Sequence, residues 1–289
     1  MRLVSFDAGS GPRAALLNEG CVYDIWGEAF AAGRDSDRTI YALIEGGLLA
    51  EVRPLDGDEG VPVEGVDLLP PIARPSKIVC IGLNYRSHAE EAGLEPPETP
   101  TFFAKFGNAL ASPGATVGLP PWSDKVDYEA EVAFVIGDRC KDVPEEEALD
   151  HVAGYMLLND LSARDYQFKT PQWMPGKVFD GAAPCGPALV TPDEAGPHDA
   201  IEIELRLNGE VMQSGSTADL VHSVPALVAY LSSLMTLEPG DVVATGTPAG
   251  VGSVRKPPVW LHEGDEIEIS SPQLGVLETK IGAPVGARG

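Results

Sequence analysis

Hydrophobic and polar residues alternate with a period of two along much of the chain beyond residue 76, which is the pattern of β-strands. VDYEAEVAFVIG (126–137) alternates most regularly and turns apolar on both faces toward its end, as in a strand covered on both sides. IEIELRLNGEVMQSG (201–215) alternates on either side of Asn208-Gly209, a dipeptide that favours a tight hairpin turn. The short apolar run KIVCIG (77–82) predicts a buried strand.

Helical patterns are few in this part of the chain. Helices are expected over 87–92, where Ser87 and Glu90 are spaced as a capping box, and over 144–153 and 224–235. GDEIEIS and GVLETKIG predict another antiparallel pair of strands. Because the βαβ alternation of a doubly wound fold is missing, we expect a strand-rich α+β fold built as a mixed β-roll or barrel.

Proline residues in LLPPIARPSK mark a domain boundary, and we place a linker near residues 70–76. Residues 1–72 are expected to form a small N-terminal α/β domain, with short strands and one helix in RTIYALIEGG. Residues 73–289 then form the larger, strand-rich domain. The chain is long enough to bury a core, either as one large domain or as a catalytic domain with a smaller appendage.

Charge and composition limit the classes of partner. The chain has 20 basic and 44 acidic residues, and its formal charge of −24 repels nucleic acid and anionic membrane surfaces, although this acidity also fits a surface adapted for solubility. The four cysteines lie far apart without a CxxC pair, which favours neither a zinc cluster nor disulfides. Because the sequence also has no run of 18 apolar residues and no signal-peptide pattern, we expect a cytoplasmic protein.

Three acidic residues follow one another at spacing two in the predicted strand 126–137. Asp127, Glu129 and Glu131 therefore share one face, and that face turns apolar further along. Carboxylates packed together away from water repel one another, so a positive charge is expected among them, with a metal ion as the obvious candidate. The alternative is a solvated acidic edge that protects against aggregation, and the strand alone does not decide between the two.

Asp160 follows a second buried-looking strand, GYMLLN (154–159), and is a candidate third oxygen ligand. Two glutamates from one strand and an aspartate from another form the anionic oxygen set that Mg²⁺, Mn²⁺ or Ca²⁺ prefers. Taken alone, Asp160 is typical of a turn or a helix cap. Its combination with Glu129 and Glu131 favours the metal site.

Other candidate residues lie outside these strands. His88 and Glu91 are three residues apart on a predicted helix, so the carboxylate can orient the imidazole for base catalysis; the alternative is an exposed ion pair. Lys177, among proline, glycine and aromatic residues, suits an anionic substrate, although most lysines are simply solvated. The glycine-rich loop 244–252 lacks the lysine of a nucleotide-binding P-loop. Its N–H groups, with Thr247, can cradle a carboxylate, or the loop is a plain tight turn.

Seven blocks of sequence, in order, resemble the fumarylacetoacetate hydrolase family. They are IGLNYRSHAEE, FFAKFGNALASPGATVGLP, VDYEAEVAFVIG, LLNDLSARDYQ, GKVFDGAAPCGPALVT, LRLNGEVMQSGST and LEPGDVVATGTPAGVG. The resemblance extends from about residue 73 to the C-terminus, and the first 70 residues resemble the small variable domain of many bacterial members. It implies a mixed β-roll catalytic domain and assembly as a homodimer.

The resemblance also implies roles for individual residues. Glu129, Glu131 and Asp160 correspond to ligands of Mg²⁺ or Mn²⁺, and His88 and Glu91 correspond to the catalytic dyad of the family. The remaining residues that match the family's catalytic and substrate-contacting positions are Lys177, Arg164, Gln167 and Thr247.

Members of this family act on 2-oxo acids, so the resemblance implies a small 2-oxo or dioxo acid as substrate. A divalent ion that chelates such an acid stabilises the enolate formed when a neighbouring C–C bond breaks. Because the dyad is intact, we predict hydrolysis of a C–C bond in a 2,4-dioxo acid of the acylpyruvate, fumarylpyruvate or diketo sugar acid type. The alternatives are an oxaloacetate-type decarboxylase and a 2-hydroxymuconate-type isomerase, whereas the dyad and Lys177 disfavour a non-catalytic metal-binding protein.

Overall fold

The structure, a computed structural model, describes residues 1–9, 11–26, 38–55 and 57–284. Within these residues strands outnumber helices, and the strands form open sheets. The prediction of a strand-rich α+β fold is therefore confirmed, and of the two architectures considered, a closed barrel is not formed by the described strands.

The elements are numbered in chain order. The strands are β1 (Arg2–Asp7), β2 (Pro12–Asn18), β3 (Cys21–Tyr23), β4 (Val61–Pro62), β5 (Leu68–Leu69), β6 (Ile78–Gly82), β7 (Thr101–Lys105), β8 (Leu110–Ala111), β9 (Thr116–Gly118), β10 (Val126–Asp127), β11 (Ala130–Ile136), β12 (Val152–Asn159), β13 (Ser162–Ala163), β14 (Ala183–Val190), β15 (Glu202–Leu207), β16 (Glu210–Ser216), β17 (Val242–Ala244), β18 (Glu266–Ser271) and β19 (Gly275–Gly282). The α-helices are α1 (Ile40–Glu45), α2 (Arg86–Ala92), α3 (Arg164–Gln167), α4 (Pro192–Ala195) and α5 (Val224–Leu234). None of the helices in the described ranges is long and apolar enough to cross a membrane.

The largest sheet is centred on β11. Its strand order is β4-β3-β2-β1-β14-β12-β11-β17-β6-β7, with β5 paired to β1 and β8 paired to β14. A five-stranded sheet has the order β16-β15-β18-β19-β9, and β10 pairs with β13. Every residue of β11 and β12 is buried, so the core is built on both faces of this antiparallel pair. Side chains at the ends of these two strands are consequently attached to a fully buried part of the fold.

The strand predicted over 126–137 is interrupted, which corrects the expectation of one continuous strand. β10 pairs with β13, whereas β11 pairs with β12 and β17 in the large sheet. Between them, the N–H of Tyr128 donates to Oδ1 of Asp127 at 2.9 Å, and the N–H of Glu129 donates to Oδ1 of Asn159 at 3.1 Å. Because side chains satisfy these two amides, the chain can leave one sheet and enter another here.

The start of α2 also differs from the prediction. The helix begins at Arg86, and the capping box expected from Ser87 and Glu90 is wrong. Tyr85 precedes the helix and makes no capping hydrogen bond with its side chain. Instead, the N–H of Ser87 donates to Oδ2 of Asp219 at 3.0 Å, so a distant segment satisfies an amide of the first turn.

The later elements agree with the sequence pattern. α5 begins after Ser223, whose side chain accepts a hydrogen bond from the N–H of Ala226. The β15–β16 hairpin turns at Asn208 and Gly209, with φ angles of 52° and 84°, and β18 pairs antiparallel with β19. The helix expected before β12 is a 3₁₀ helix, Glu145–His151, which runs directly into the strand.

The N-terminal segment joins the large sheet. α1 lies within the predicted RTIYALIEGG, and the side chain of Thr39 accepts a hydrogen bond from the N–H of Ala42 at 3.1 Å. β1 pairs antiparallel with β14, where Leu3 lies opposite Leu189. The strands of this segment are thus continuous with the sheet that contains β11, and the division of the chain at residue 72 stays a prediction.

Candidate active site

A cavity of about 300 Å³ lies at the N-terminal end of β11. It is lined by eight of the nine residues to which the family resemblance gave roles, namely His88, Glu129, Glu131, Asp160, Arg164, Gln167, Lys177 and Thr247. The ninth, Glu91, contacts His88. The fold therefore brings together residues that are far apart along the chain.

Three carboxylates converge on this cavity because two adjacent strands position them. β11 and β12 pair with Ala130 opposite Asn159, and the N–H of Asp160 donates to the carbonyl oxygen of Glu129 at 2.9 Å. One oxygen each from Glu129, Glu131 and Asp160 lie within 4.8 Å of one another. All three side chains are buried, so the alternative of a solvated acidic edge is wrong.

Two cations contact Glu129, one at each of its carboxylate oxygens. Nζ of Lys177 lies 2.7 Å from Oε2 of Glu129 and 2.8 Å from Oδ2 of Asp160. Nη2 of Arg164 lies 2.7 Å from Oε1 of Glu129 and 2.8 Å from Oδ2 of Asp127. Burial by itself raises the pKa of Glu129, but the charges of Arg164 and Lys177 outweigh it and hold that pKa well below its usual range. Glu129 is therefore ionised even though it is buried.

The structure adds a cation that the sequence did not single out, Lys105. Its Nζ lies 2.7 Å from Oδ1 of Asp160 and donates to the carbonyl oxygens of Ala182, at 2.9 Å, and Lys177. Lys105 lies on β7 two residues after the buried Phe103, on the same face of the strand. A lysine on the buried face of a strand is rare, so this pattern in the sequence could have pointed to Lys105.

Glu131 is the carboxylate of the cluster without a cation partner among the described residues. Its Oε2 accepts a hydrogen bond from the N–H of Gly246 at 2.9 Å. Burial, together with the charges of Asp160 and Glu129, raises the pKa of Glu131 well above its usual value. The cluster as a whole holds four buried carboxylates and three buried cations.

When Glu131 is ionised the cluster has one more negative than positive charge, and a divalent cation beside Glu131 would stabilise that ionised form. The three converging carboxylates offer only oxygen ligands, which hard cations such as Mg²⁺ and Mn²⁺ prefer. Each carboxylate oxygen has two lone pairs, so the contacts with Lys177 and Lys105 leave coordination sites on the same oxygens. The residues present are therefore compatible with the ion that the sequence predicted.

His88 and Glu91 form a fixed pair at the wall of the cavity. Nδ1 of His88 lies 3.1 Å from Oε1 of Glu91, and their side chains are 13% and 22% exposed. The N–H of Gly250 donates to both oxygens of Glu91, at 3.0 and 2.9 Å. This is not a freely exposed helix ion pair, because the loop after β17 locks the carboxylate in place.

The glycine-rich loop 244–252 binds carboxylates of this chain. In addition to its bonds with Glu131 and Glu91, it donates the N–H of Gly252 to Oδ1 of Asp127 at 2.7 Å. The loop is therefore not a plain tight turn, and binding of a substrate carboxylate by its N–H groups and Thr247 stays a prediction. Because these N–H groups fix three side chains of the site, the loop contributes to the geometry of the cavity.

Gln213 ties Thr247 to the start of β11, a link that the sequence did not indicate. Nε2 of Gln213 donates to Oγ1 of Thr247 at 2.8 Å, and its Oε1 accepts from the N–H of Ala130 at 2.9 Å. Across the cavity, Nη1 of Arg164 donates to Oε1 of Gln167 at 3.0 Å. Polar side chains of the site are thus oriented by hydrogen bonds from other side chains or from backbone N–H groups.

The remaining wall of the cavity is apolar. Phe103 and Trp173 meet edge to face with ring centroids 6.0 Å apart, and Leu94 and Val254 also line this side. Trp173 packs directly on Gly82, where an added Cβ would lie 2.2 Å from the ring. A charged end facing an apolar wall suits a small organic acid.

Comparison with known proteins finds relatives that cover most of the chain. Residues 77–282 match the family profile described as fumarylacetoacetate (FAA) hydrolase C-terminal. A relative in Bos taurus, named mitochondrial oxaloacetate tautomerase FAHD2A, is 42% identical over 292 residues, which covers 97% of this chain and 91% of the relative. Fumarylacetoacetate hydrolase from psychrophilic Exiguobacterium antarcticum matches with a TM-score of 0.86 and 34% identity, covering 98% of this chain and 99% of that chain. Maleylpyruvate hydrolase from Sphingobium sp. SYK-6, solved in complex with manganese(II) and pyruvate, matches with a TM-score of 0.79 and 30% identity, covering 99% of this chain and 100% of that chain.

These matches bear on two earlier expectations. The name of the bovine relative places it in mitochondria, so it does not support the cytoplasmic location, which stays a prediction. The resemblance carried by the seven sequence blocks is confirmed, because the family profile spans most of the chain and the shared fold spans nearly all of it. The chain is an enzyme of the fumarylacetoacetate hydrolase family.

Proposed function

We propose that this enzyme interconverts the keto and enol forms of oxaloacetate or a similar 2-oxo dicarboxylic acid, with a divalent metal ion held by Glu129, Glu131 and Asp160. One observation carries the proposal: these three buried carboxylates converge on a cavity that also contains Lys177 and His88. The carboxylates suit the ion, the lysine suits an anionic substrate, and the histidine suits proton transfer.

The metal and the side chains have separate tasks. When bound, the ion would polarise the 2-oxo group and stabilise negative charge on its oxygen. Lys177 and Arg164 offset the charge of the acidic cluster, so that an anionic substrate is not repelled from the cavity. Because Oγ1 of Thr247 accepts from Gln213, its own hydrogen is free to donate to a substrate oxygen.

The His88–Glu91 pair moves the proton. In tautomerisation a proton leaves carbon 3 and a proton is added to the 2-oxo oxygen, and no bond between heavy atoms breaks. Both oxygens of Glu91 accept from the N–H of Gly250, so we assign the shared hydrogen to Nδ1 of His88, which leaves Nε2 to act as the base. Glu91 also stabilises the imidazolium that forms.

The relatives support the general chemistry more strongly than the choice of reaction. The bovine relative is named as an oxaloacetate tautomerase, and the Sphingobium structure as a hydrolase that contains manganese and pyruvate. The identity over nearly the full chain favours the first reaction, while the second agrees with the hydrolysis predicted from the sequence.

Hydrolysis of a C–C bond in a 2,4-dioxo acid is therefore the second candidate, and the geometry of His88 and Glu91 favours it. Such a reaction needs a base that takes a proton from water as the water adds to the distal carbonyl. The C–C bond then breaks, and the carbon that leaves with the electron pair takes up a proton. A histidine held by a locked carboxylate is suited to both proton transfers.

The proposed function is tested with purified protein, Mg²⁺ or Mn²⁺, and a panel of 2-oxo acids. Enol oxaloacetate absorbs ultraviolet light, so loss of that absorbance without release of pyruvate or CO₂ is expected for a tautomerase. Cleavage of an acylpyruvate to pyruvate and a carboxylic acid identifies the hydrolase instead. Release of CO₂ from oxaloacetate identifies a decarboxylase and contradicts the proposal.

Metal dependence has its own control. Glu129→Gln should bind Mn²⁺ at least about tenfold more weakly in calorimetry and lose activity in proportion, because a ligand charge is removed. The control is Glu147→Gln, which neutralises an exposed acid of the 3₁₀ helix before β12. It should leave the Mn²⁺ affinity and the activity unchanged. Full activity of wild-type protein after exhaustive chelation would refute the metal site.

A further inference from the structure

A second group of residues with side chains that can bind metal ions lies at the opposite end of β11 from the active site. Asp138 and Cys140 follow β11 and His151 precedes β12, so the group is at the connection between these two strands. An oxygen of Asp138, the sulfur of Cys140 and a ring nitrogen of His151 lie within 4.8 Å of one another. Seven residues of mostly extended chain, roughly 20 Å, separate Asp138 from Glu131 in the active-site cluster.

The backbone fixes two of these three residues. The N–H of Gly137 donates to the carbonyl oxygen of His151 at 2.8 Å. Cys140 and Leu237 exchange two hydrogen bonds, of 3.0 and 2.9 Å, in an isolated β-bridge. The thiol and the imidazole are thus held near each other by the fold, which reduces the entropy lost when an ion binds.

The surroundings of the group favour a cation. Nδ1 of His151 lies 2.5 Å from Oδ1 of Asp138, which is exposed, so an ion can reach the group from solvent. The carboxylates of Asp138, Asp241 and Glu238 lie close enough to Cys140 to act on it electrostatically. Their negative potential attracts a positive ion.

We propose that Asp138, Cys140 and His151 bind one Zn²⁺ ion. Sulfur, imidazole nitrogen and carboxylate oxygen are the ligand atoms that zinc takes, and water completes a tetrahedral set. On binding, the S–H bond of Cys140 breaks, its proton passes to solvent, and the sulfur bonds to the ion. The active-site cluster offers only oxygen and suits harder cations, so the two ends of β11 select different metals.

The ion has a structural role in this proposal. It joins the loop after β11 to the start of β12 and, through the bridge between Cys140 and Leu237, to the segment before β17. Binding to the folded state alone stabilises that state, so we expect an effect on the free energy of unfolding and none on turnover. Cysteine spacing did not predict this site, because only one of its three ligands is a cysteine.

The test uses Co²⁺ as a spectroscopic substitute for Zn²⁺, with the whole chain and an excess of Mg²⁺ to fill the oxygen-only cluster. A bond between cobalt and a thiolate produces a charge-transfer absorption band, which oxygen ligands do not produce. Wild-type protein should develop this band with one equivalent of Co²⁺, and Zn²⁺ should abolish it by displacement. Cys140→Ser should lack the band, and His151→Gln should bind Co²⁺ at least about tenfold more weakly.

Cys21→Ser is the matched control, because Cys21 is also a free cysteine but lies outside the group, and it should keep the band. His151 is partly exposed, so His151→Gln is expected to fold, which circular dichroism checks. Zn²⁺ should raise the Tm of the Mg²⁺-loaded wild type and not that of His151→Gln. A wild-type protein without the band, or a band that persists in Cys140→Ser, would overturn the proposal.

Discussion

The ammonium of Lys105 lies 2.7 Å from Oδ1 of Asp160, and neither side chain is more than 1% exposed. Lys105 approaches from β7, three strands along the large sheet from β11, and leaves Oδ2 of Asp160 to Lys177. One carboxylate is thus held between two ammonium groups. Lys105 does not line the cavity, so we regard it as a positioning residue that sets how Asp160 faces the site.

Replacement of Lys105 by methionine, which has similar length and no charge, should destabilise the protein by about 3–5 kcal/mol. The physical reason is that Asp160 loses a buried partner, as do the carbonyl oxygens that accept from Lys105. Urea denaturation in the presence of a metal chelator measures the free energy of unfolding of the metal-free protein and checks this prediction.

Lys280→Met is the control for the Lys105 variant. Nζ of Lys280 lies 3.6 Å from Oε1 of Glu266, and both side chains are more than 60% exposed. Lys280→Met should therefore lower the free energy of unfolding by about 1 kcal/mol or less. If the two variants lose the same small amount of stability, the buried contact between Lys105 and Asp160 does not contribute as we describe.

Glu131→Gln should have opposite effects on metal binding and on stability. Glu131 is buried without a cation partner in the described parts of the chain, and a glutamine can still accept from the N–H of Gly246. Without metal, in the presence of a chelator, the variant should therefore have a free energy of unfolding roughly 0.5–2 kcal/mol higher than that of wild type. With Mn²⁺ present the wild type should be the more stable of the two, because the variant loses a ligand.

Denaturation of both proteins with and without Mn²⁺ tests this pair of expectations. Glu278→Gln, on the exposed side of β19, should change neither measurement. A Glu131→Gln variant that is less stable than wild type in chelator would mean that the carboxylate is compensated by a group other than a metal ion.

The strands could be predicted from the sequence because the alternation of apolar and polar side chains is enough to recognise a strand. The break between β10 and β11 could not, because it depends on which groups accept hydrogen bonds from Tyr128 and Glu129. One of those acceptors, Asn159, is brought there only by the pairing of β11 with β12. A periodic pattern specifies on which face of the sheet each side chain lies. It contains no information on the hydrogen-bond partners that other strands supply.

The same distinction applies to the site. Glu129, Glu131 and Asp160 could be found because acids in or next to apolar runs are unusual in a sequence. The charges that balance them could not be assigned, since Lys105 reaches Asp160 from a distant strand. Gln213 likewise contacts Thr247 only because the loop after β17 packs against β16. Residues that carry unusual chemistry are visible in the sequence, whereas those that orient them become visible in the fold.

The homodimer implied by the family resemblance remains a prediction, and the structure suggests where to test it. β7 is at one end of the strand order of the large sheet, with Phe102 on it 40% exposed and Phe106 just after it 51% exposed. Apolar side chains at a sheet edge favour contact with a second copy. Light scattering should show a dimer at micromolar concentration, and Phe106→Glu should weaken it at least about tenfold. A monomeric wild type at that concentration would contradict the prediction.

His88→Ala should separate proton transfer from substrate binding. The oxygen ligands, Lys177 and Thr247 all remain, so the affinity for a non-reacting 2-oxo acid analogue such as oxalate should change little. Turnover should fall by roughly 10²- to 10⁴-fold, the usual loss on removal of a general base. Steady-state kinetics and calorimetry with oxalate, both in the presence of Mn²⁺, measure the two effects separately.

Two further variants show whether the His88→Ala effect belongs to the dyad. Glu91→Gln should give a milder loss of turnover, because the imidazole remains but loses the negative charge that supports its protonated form. His262→Ala, at an exposed position outside the cavity, should behave as wild type. Near-normal turnover of His88→Ala on the best substrate found would make the pair structural. Proton transfer would then have to be assigned to another titratable group that lines the cavity, such as Lys177.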